Sequence, residues 1–296
     1  IEELRRRTRG IVVFAVTPFT GDGRVDEEGL RRNMEYLVVN GIPAVVVCGG
    51  VGELWDLSES EHLRVVRVAS AQVAGRAAVY AGICGGTEAS VERARQVEAV
   101  GAHGVLLFPD DDAVPDVPSL LDYYTRVSRA VSIGLMPFRA DAAVDLEVLG
   151  KLAALPNVVA LKEEREHMDD FREIVRVLGG RLVIVGAGDA FAPCYFVLGG
   201  GGLACGLSNF LPALYVEMWE AAQRWDYRRV MEIHASLEPF TGLRRRYGSA
   251  LLKAALEELG LAGGPCRTEP HHLAAADRAE LVRLLAPLRA TAGKRP

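Results

Sequence analysis

Four lysines, Lys151, Lys162, Lys253 and Lys294, serve the whole chain, while arginine carries nearly all of its positive charge. One of the four, Lys162, closes the apolar run Val158-Val159-Ala160-Leu161 and is followed by Glu163 and Glu164. A nearly continuous apolar run of this length reads as a strand buried on both faces, which puts the amine at a strand end. Arginine cannot shed its proton to become a nucleophile, whereas a desolvated amine can. Attack on a ketone near neutral pH needs its pKa to fall from about 10.4 to roughly 7–8, a shift that burial can supply. Lys162 is therefore a candidate for forming a Schiff base with a ketone, and Glu163 and Glu164 beside it are candidates for moving protons. The competing reading is a structural ion pair between Lys162 and one of those glutamates.

Other strand ends carry less chemistry. Cys48-Gly49-Gly50-Val51-Gly52-Glu53 is a glycine-rich turn after a second apolar run. Small residues let backbone N–H groups converge on an anion such as a carboxylate, although a tight turn alone needs the same residues. Ser208 and Asn209 follow the last strand-like run. The tract Gly199 to Gly202 precedes that run and reads as a turn at the opposite end. Asp110, Asp111 and Asp112 form an acidic cluster that could move protons but reads better as a solvated loop. His62, His103, His167 and His234 are scattered and His271-His272 sits in the tail, without metal-ligand spacing. Nothing calls for a cofactor.

These residues need a scaffold, and the alternation of the chain predicts one. Apolar, β-rich runs occur at Ile11–Val16, Ala44–Cys48, Ala77–Ile83, Gly104–Phe108, Ile133–Met136, Val158–Lys162, Leu182–Val185 and Leu203–Leu207. Between them lie amphipathic stretches such as Glu27–Val39, Glu59–Ala74, Ala89–Val100 and Leu146–Leu155, with Leu211–Gln223 after the last. Eight such units in residues 1–225 predict an α/β fold, a (β/α)₈ TIM barrel, with the active site at the C-terminal ends of the strands. Residues 226–296 read as helices only, at Tyr227–Leu237, Ser249–Leu259 and Ala276–Leu288, packed on the barrel as an appendage.

Composition narrows the function. A formal charge of −5 argues against a nucleic-acid surface. The clusters Arg5–Arg7 and Arg244–Arg246 read as solvated helix faces. No apolar run approaches the ~18 residues of a membrane span, and the first residues lack a signal peptide's apolar core. Five cysteines without paired spacing predict reduced thiols and a cytoplasmic location.

The order and spacing of the motifs resemble those of the dihydrodipicolinate synthase/N-acetylneuraminate lyase family along essentially the whole chain. The matching pieces are Gly10-Ile11-Val12 to Thr17-Pro18-Phe19, Gly49-Gly50-Val51-Gly52-Glu53 with Leu57-Ser58-x-x-Glu61, Gly82-Ile83, and Gly101-Ala102-x-Gly104. Further on come Pro156-Asn157-Val158-Val159-Ala160-Leu161-Lys162-Glu163 and Ser208-Asn209-Phe210-Leu211-Pro212. The Gly-Gly-x-Gly-Glu form and Phe138-Arg139 before Asp141 are closest to the 5-dehydro-4-deoxyglucarate dehydratase branch. The resemblance implies a lyase, dehydratase or aldolase, acting on a 2-oxo acid such as a 2-oxo-3-deoxy sugar acid, in a homo-oligomer (tetramer or dimer). It implies that Lys162 is the Schiff-base lysine, that the Gly50 and Val51 amides cradle the substrate carboxylate, and that Arg139 faces the distal part of the substrate. Ser208 and Asn209 complete the candidate binding set, and Glu164 is the candidate proton carrier.

Three positions depart from the family pattern. Pro137 stands where a proton-shuttling Tyr is usual on strand five, Val51 replaces a Thr in the carboxylate turn, and Asp110 to Asp112 occupy the place of a Tyr that reaches a neighbouring subunit. Dihydrodipicolinate synthase and sialic acid lyase activities are accordingly not expected. The alternative is a catalytically silent barrel that binds a 2-oxo acid or a partner protein.

Overall fold

The computed structural model describes residues 1–110 and 112–289. Eight parallel strands close into one barrel in chain order. They are β1 (Gly10–Phe14), β2 (Ala44–Val47), β3 (Ala78–Gly85), β4 (Gly104–Pro109), β5 (Gly134–Arg139), β6 (Ala160–Glu163), β7 (Val183–Ala187) and β8 (Gly202–Cys205). The register closes with Gly10 of β1 beside Gly202 of β8. The intervening helices are α2 (Glu27–Val39), α3 (Glu59–Val73), α4 (Thr87–Ala99), α5 (Val117–Ala130), α6 (Leu146–Leu152), α7 (Met168–Leu178) and α8 (Ala192–Val197), preceded by a short α1 (Glu2–Arg7). This is a TIM barrel.

Alternate residues of each strand fill the inside, as the two-residue period of a strand requires. Val12, Phe14, Val46, Tyr80, Leu106, Met136, Val159, Val183 and Val185 make that inner layer. Leu4 of α1 belongs to the same cluster and plugs the N-terminal mouth, where Gly134 leaves the room it needs. The tyrosine inside, Tyr80, shares a hydrogen bond with Thr8 at 2.5 Å, so its hydroxyl is not orphaned. The other strand faces pack under the helices in a second, larger apolar layer.

Helix starts follow local chemistry. Asp26 caps α2 through Gly29 N–H, at 2.8 Å. Ser58 and Glu61, the Ser-x-x-Glu of the sequence motif, form a capping box on α3. Asp145 caps α6 and Asp226 caps a later helix in the same way.

Strand five differs from its prediction. The apolar run ends at Met136, yet β5 continues through Pro137, Phe138 and Arg139. Proline lacks the N–H of a ladder residue, so it is rare inside a sheet. Here the next N–H, that of Phe138, lies 3.3 Å from the hydroxyl of Tyr124 on α5.

After β8 come α9 (Pro212–Gln223), α10 (Tyr227–Leu237), α11 (Pro239–Tyr247), α12 (Ser249–Glu258) and α13 (Ala275–Leu285). Helix α12 and the segment after it reach back to the barrel, while α13 packs on α11 and α12. Asn33 of α2 donates to the Ala262 carbonyl at 2.7 Å and accepts from its N–H at 3.0 Å. Among the described residues, no helix is long and apolar enough to cross a membrane.

Candidate active site

The C-terminal ends of the strands surround a cavity of about 450 Å³, and Lys162 projects into it from the end of β6. The residue is only 8% exposed. Its Nζ lies 4.4 Å from the centre of the Phe14 ring and 4.9 Å from that of Phe138, with Glu164 Oε2 at 2.6 Å. Burial disfavours the ammonium and pulls its pKa below the ordinary lysine value, while the Glu164 charge and hydrogen bond pull the other way. Burial prevails. The ion pair expected as the competing reading is therefore present, and it holds a carboxylate against the amine. Glu164 keeps 43% of its side chain exposed, so it can exchange protons with solvent.

The Gly50–Val51 turn forms another wall of the same cavity. It lies between Cys48 at φ 52° and Glu53 at φ 58°, two non-glycine residues in the left-handed region, a local strain that the surroundings must hold. Several bonds do so. Thr17 donates to the Gly52 carbonyl at 2.7 Å and Ser249 to the Val51 carbonyl at 3.1 Å. Glu53 accepts from Lys253 Nζ at 2.5 Å and from the Arg267 N–H at 2.7 Å. Strand β3 passes so close that a Cβ on Gly82 would meet the Cys48 carbonyl oxygen at 2.0 Å, so only glycine fits there. Among the described residues, no hydrogen bond of the fold engages the Gly50 or Val51 N–H, leaving both donors for an anion. The hydroxyl that Val51 lacks has a neighbour in Ser249, which lines the cavity from α12.

Other predicted site residues lie elsewhere. Arg139 is not on the cavity wall; its guanidinium bonds Glu163 at 2.8 Å, Asp170 at 3.2 Å and the Val144 carbonyl at 2.6 Å. With 4% exposure and those partners, it braces the β5 and β6 ends instead of facing a substrate. Glu163 is consumed by the same pair. Ser208 and Asn209 are buried behind the wall. Ser208 donates to the Cys205 carbonyl at 2.8 Å, while Asn209 accepts from Val16 N–H at 3.1 Å and donates to the Phe14 carbonyl at 2.8 Å. Asn209 thereby ties the β8 end to the β1 end. Asp110 and Asp112 do not line the cavity, and Asp111 lies outside the described residues.

Five residues join the site that sequence reasoning did not place in it. Asp189, after β7, lines the cavity and accepts a short hydrogen bond from Tyr215 of α9. Burial raises its pKa, opposed by the Tyr215 hydrogen bond and the Arg244 charge. Its place just past a strand end was a signal that inspection of every strand end would have found. Arg244 of α11 also lines the cavity, correcting the solvated-face reading of Arg244–Arg246. No local pattern distinguishes it from Arg245 and Arg246. Trp55, Phe108 and Phe138 complete an aromatic wall, their successive ring centres 5.8 and 4.9 Å apart. No tyrosine lines the cavity among the described residues, and no group of His, Cys, Asp and Glu among them could hold a metal ion.

The sequence matches the dihydrodipicolinate synthetase family over residues 7–287. A probable 5-dehydro-4-deoxyglucarate dehydratase of Xanthomonas campestris pv. campestris is 32% identical over 285 residues, covering 93% of each chain. One from Oceanobacillus iheyensis is 27% identical, covering 87% of this chain and 86% of its own. Among solved structures, dihydrodipicolinate synthase from Oceanobacillus iheyensis superposes with a TM-score of 0.89 at 26% identity, covering 97% of this chain and 99% of that one. The Aquifex aeolicus synthase gives 0.87 at 29%, covering 94% and 97%.

Proposed function

The chain belongs to the dihydrodipicolinate synthetase family, and from that premise we propose that it is a Schiff-base lyase that dehydrates a 2-oxo-3-deoxy sugar acid. One observation carries the reading: a buried lysine with a depressed pKa shares a cavity with an unengaged pair of backbone N–H groups and has a carboxylate 2.6 Å from its amine. Dehydration is favoured over aldol cleavage by the names of the relatives, since a 5-dehydro-4-deoxy sugar acid is a 2-oxo-3-deoxy acid counted from its other end.

The substrate carboxylate rests on the Gly50 and Val51 amides, which puts C2 before Lys162. The neutral amine adds to the C2 carbonyl, and the carbonyl oxygen leaves as water to give an iminium. The iminium withdraws electrons from C3, so Glu164 takes a C3 proton and the C–H electron pair becomes an enamine. The enamine expels the C4 hydroxyl, which departs as water with a proton from Glu164 or Asp189. Water then adds to C2 and releases Lys162. In this proposal Lys162, Gly50, Val51 and Glu164 act on the substrate, while Arg139, Ser208 and Asn209 support the walls.

Borohydride reduction in the presence of pyruvate or a longer 2-oxo acid should leave a covalent adduct on Lys162, located by mass spectrometry of a digest. Lys162→Arg should abolish it. Labelling confined to Lys151, Lys253 or Lys294 would overturn the proposal. The absence of a cavity tyrosine among the described residues favours a second reading, a barrel that forms the imine without turnover. A coupled assay on a 2-oxo-3-deoxy sugar acid separates the two, with negligible synthase or sialic acid lyase activity expected in either case.

A further inference from the structure

Lys162 stands at the end of β6, so its flanking strand ends are those of β5 and β7. The β5 end gives the cavity the Phe138 ring. Just past the β7 end stands Asp189. A hydroxyl carried by the substrate beyond the imine thus meets an apolar ring on one side of Lys162 and a hydrogen-bonding carboxyl on the other.

The Asp189 side chain is held from behind. Tyr215 of α9, only 1% exposed, donates a short hydrogen bond to Oδ1. The Leu207 N–H, 3.4 Å away, is directed at the same oxygen, so neither contact engages Oδ2. The Gly206 N–H and the charge of Arg244 act on the carboxyl as well, Arg244 being seated against Gly206 and Gly248. The Cys205 thiol of β8 is near, and burial pushes its pKa well up, which keeps it neutral. Farther out, Glu166 stands beside Gly188, and His234 Nε2 lies 3.1 Å from the Ala190 carbonyl. Burial raises the pKa of Asp189 against the Tyr215 hydrogen bond and the Arg244 charge. A carboxyl raised in this way can carry a proton to a poor leaving group, and donors fixed on one oxygen stabilise the anion that remains.

We propose that Asp189 is the catalytic acid that protonates the departing C4 hydroxyl and that Tyr215 is its positioning residue. This rests on the proposed Schiff-base function, because the enamine on Lys162 supplies the electrons. The Asp189 O–H bond breaks and its proton goes to the leaving oxygen. The C4–O bond breaks with its electron pair on that oxygen, water departs, and the enamine electrons form the C3–C4 double bond. Asp189 is left as a carboxylate and recovers a proton from water. Glu164 then handles the C3 proton alone. A tyrosine acting through an aspartate on the β7 side thus stands in for the hydroxyl that Pro137 cannot supply on the β5 side.

The test compares 4-hydroxy-2-oxobutanoate with 4-chloro-2-oxobutanoate, which share a carbon chain and differ in a leaving group that does or does not need a proton. Each is incubated with the protein, borohydride is added, and mass spectrometry of a digest separates Lys162 adducts that kept the C4 substituent from those that lost it. Asp189→Asn should lower the rate of hydroxyl loss relative to chloride loss by about 10²–10⁴-fold. Tyr215→Phe should lower the same ratio by a smaller factor. It also removes a bond that favours the carboxylate, so the alkaline limb of hydroxyl loss should move to higher pH. A merely structural role would slow both leaving groups alike and leave that limb in place. Pyruvate trapping on Lys162 reports that each variant is folded. Asp189→Glu, which keeps the carboxyl but displaces it from Tyr215, should lower the ratio less and serves if Asp189→Asn does not fold. An unchanged ratio in Asp189→Asn, an unmoved limb in Tyr215→Phe, or an unmodified protein that loses chloride but never the hydroxyl overturns the assignment. Absence of any adduct on Lys162 overturns the Schiff-base reading instead.

Discussion

At Lys162 two influences act on one amine. Burial against Phe14 and Phe138 favours the neutral form that attacks a carbonyl, and Glu164 favours the charged form. The carboxylate is thus a brake on imine formation and, in the proposed mechanism, the carrier of the C3 proton. Glu164→Gln separates these roles. Removing the charge that raises the lysine pKa should move the pH profile of borohydride trapping to lower pH. Removing the proton carrier should lower turnover of a 2-oxo-3-deoxy sugar acid by about 10²–10⁴-fold. The two effects have opposite signs at neutral pH, so a profile that shifts upward, or turnover that is untouched, would remove Glu164 from the mechanism. Asp189 is the second carboxyl of the cavity, and burial raises its pKa above that of a free aspartate, against the Tyr215 hydrogen bond and the Arg244 charge.

Among the elements, the turn after β2 depends on helices that arrive two hundred residues later. Glu53 ends the turn in a left-handed conformation and is buried with Lys253 of α12, whose Nζ also donates to the Pro265 carbonyl at 2.9 Å. Arg267 adds a backbone bond to Glu53 and a side-chain pair with Glu61 of the α3 capping box. Breaking a buried pair by removing one partner leaves the other charge uncompensated, at about 3–5 kcal/mol, whereas replacing both with apolar residues is close to neutral. Lys253→Met should therefore destabilise the protein by roughly that amount in denaturant unfolding. Glu53→Met/Lys253→Met should recover much of the stability without recovering 2-oxo acid binding, because the turn loses its anchor. Equal stability of the single and double variants would show that the pair does not act as a unit.

On the scale of the molecule, barrel and C-terminal helices share one site. Arg244, Gly248 and Ser249 line the cavity together with Lys162, and the Asn33–Ala262 bonds and the Glu53–Lys253 pair cross from the barrel into the appendage. A chain ending at residue 225 would keep every strand but lose these partners and leave Glu53 buried without its cation. It should show no cooperative thermal transition and no Lys162 adduct with pyruvate and borohydride. A truncated barrel that melts cooperatively and still forms the adduct would show that the helices are dispensable.

Local chemistry determined most of the scaffold. Apolar runs of strand length alternating with amphipathic stretches gave eight βα units because both periods are properties of neighbouring residues, and the Ser58–Glu61 box was legible for the same reason. Lys162 and the Gly50–Val51 turn could be found because strand ends in a barrel converge on one face. Tertiary packing decided what each polar group meets there. Arg139 and Arg244 are both arginines near strand ends or helix ends, yet Glu163 and Asp170 close around the first while two glycines leave the second open to the cavity. Strand β5 runs on through Pro137, where Phe138 and Arg139 pair with Lys162 and Glu163 of β6, partners outside the strand's own pattern. Partners of this kind lie from a dozen to two hundred positions apart, and a period of two or 3.6 residues contains no information about them.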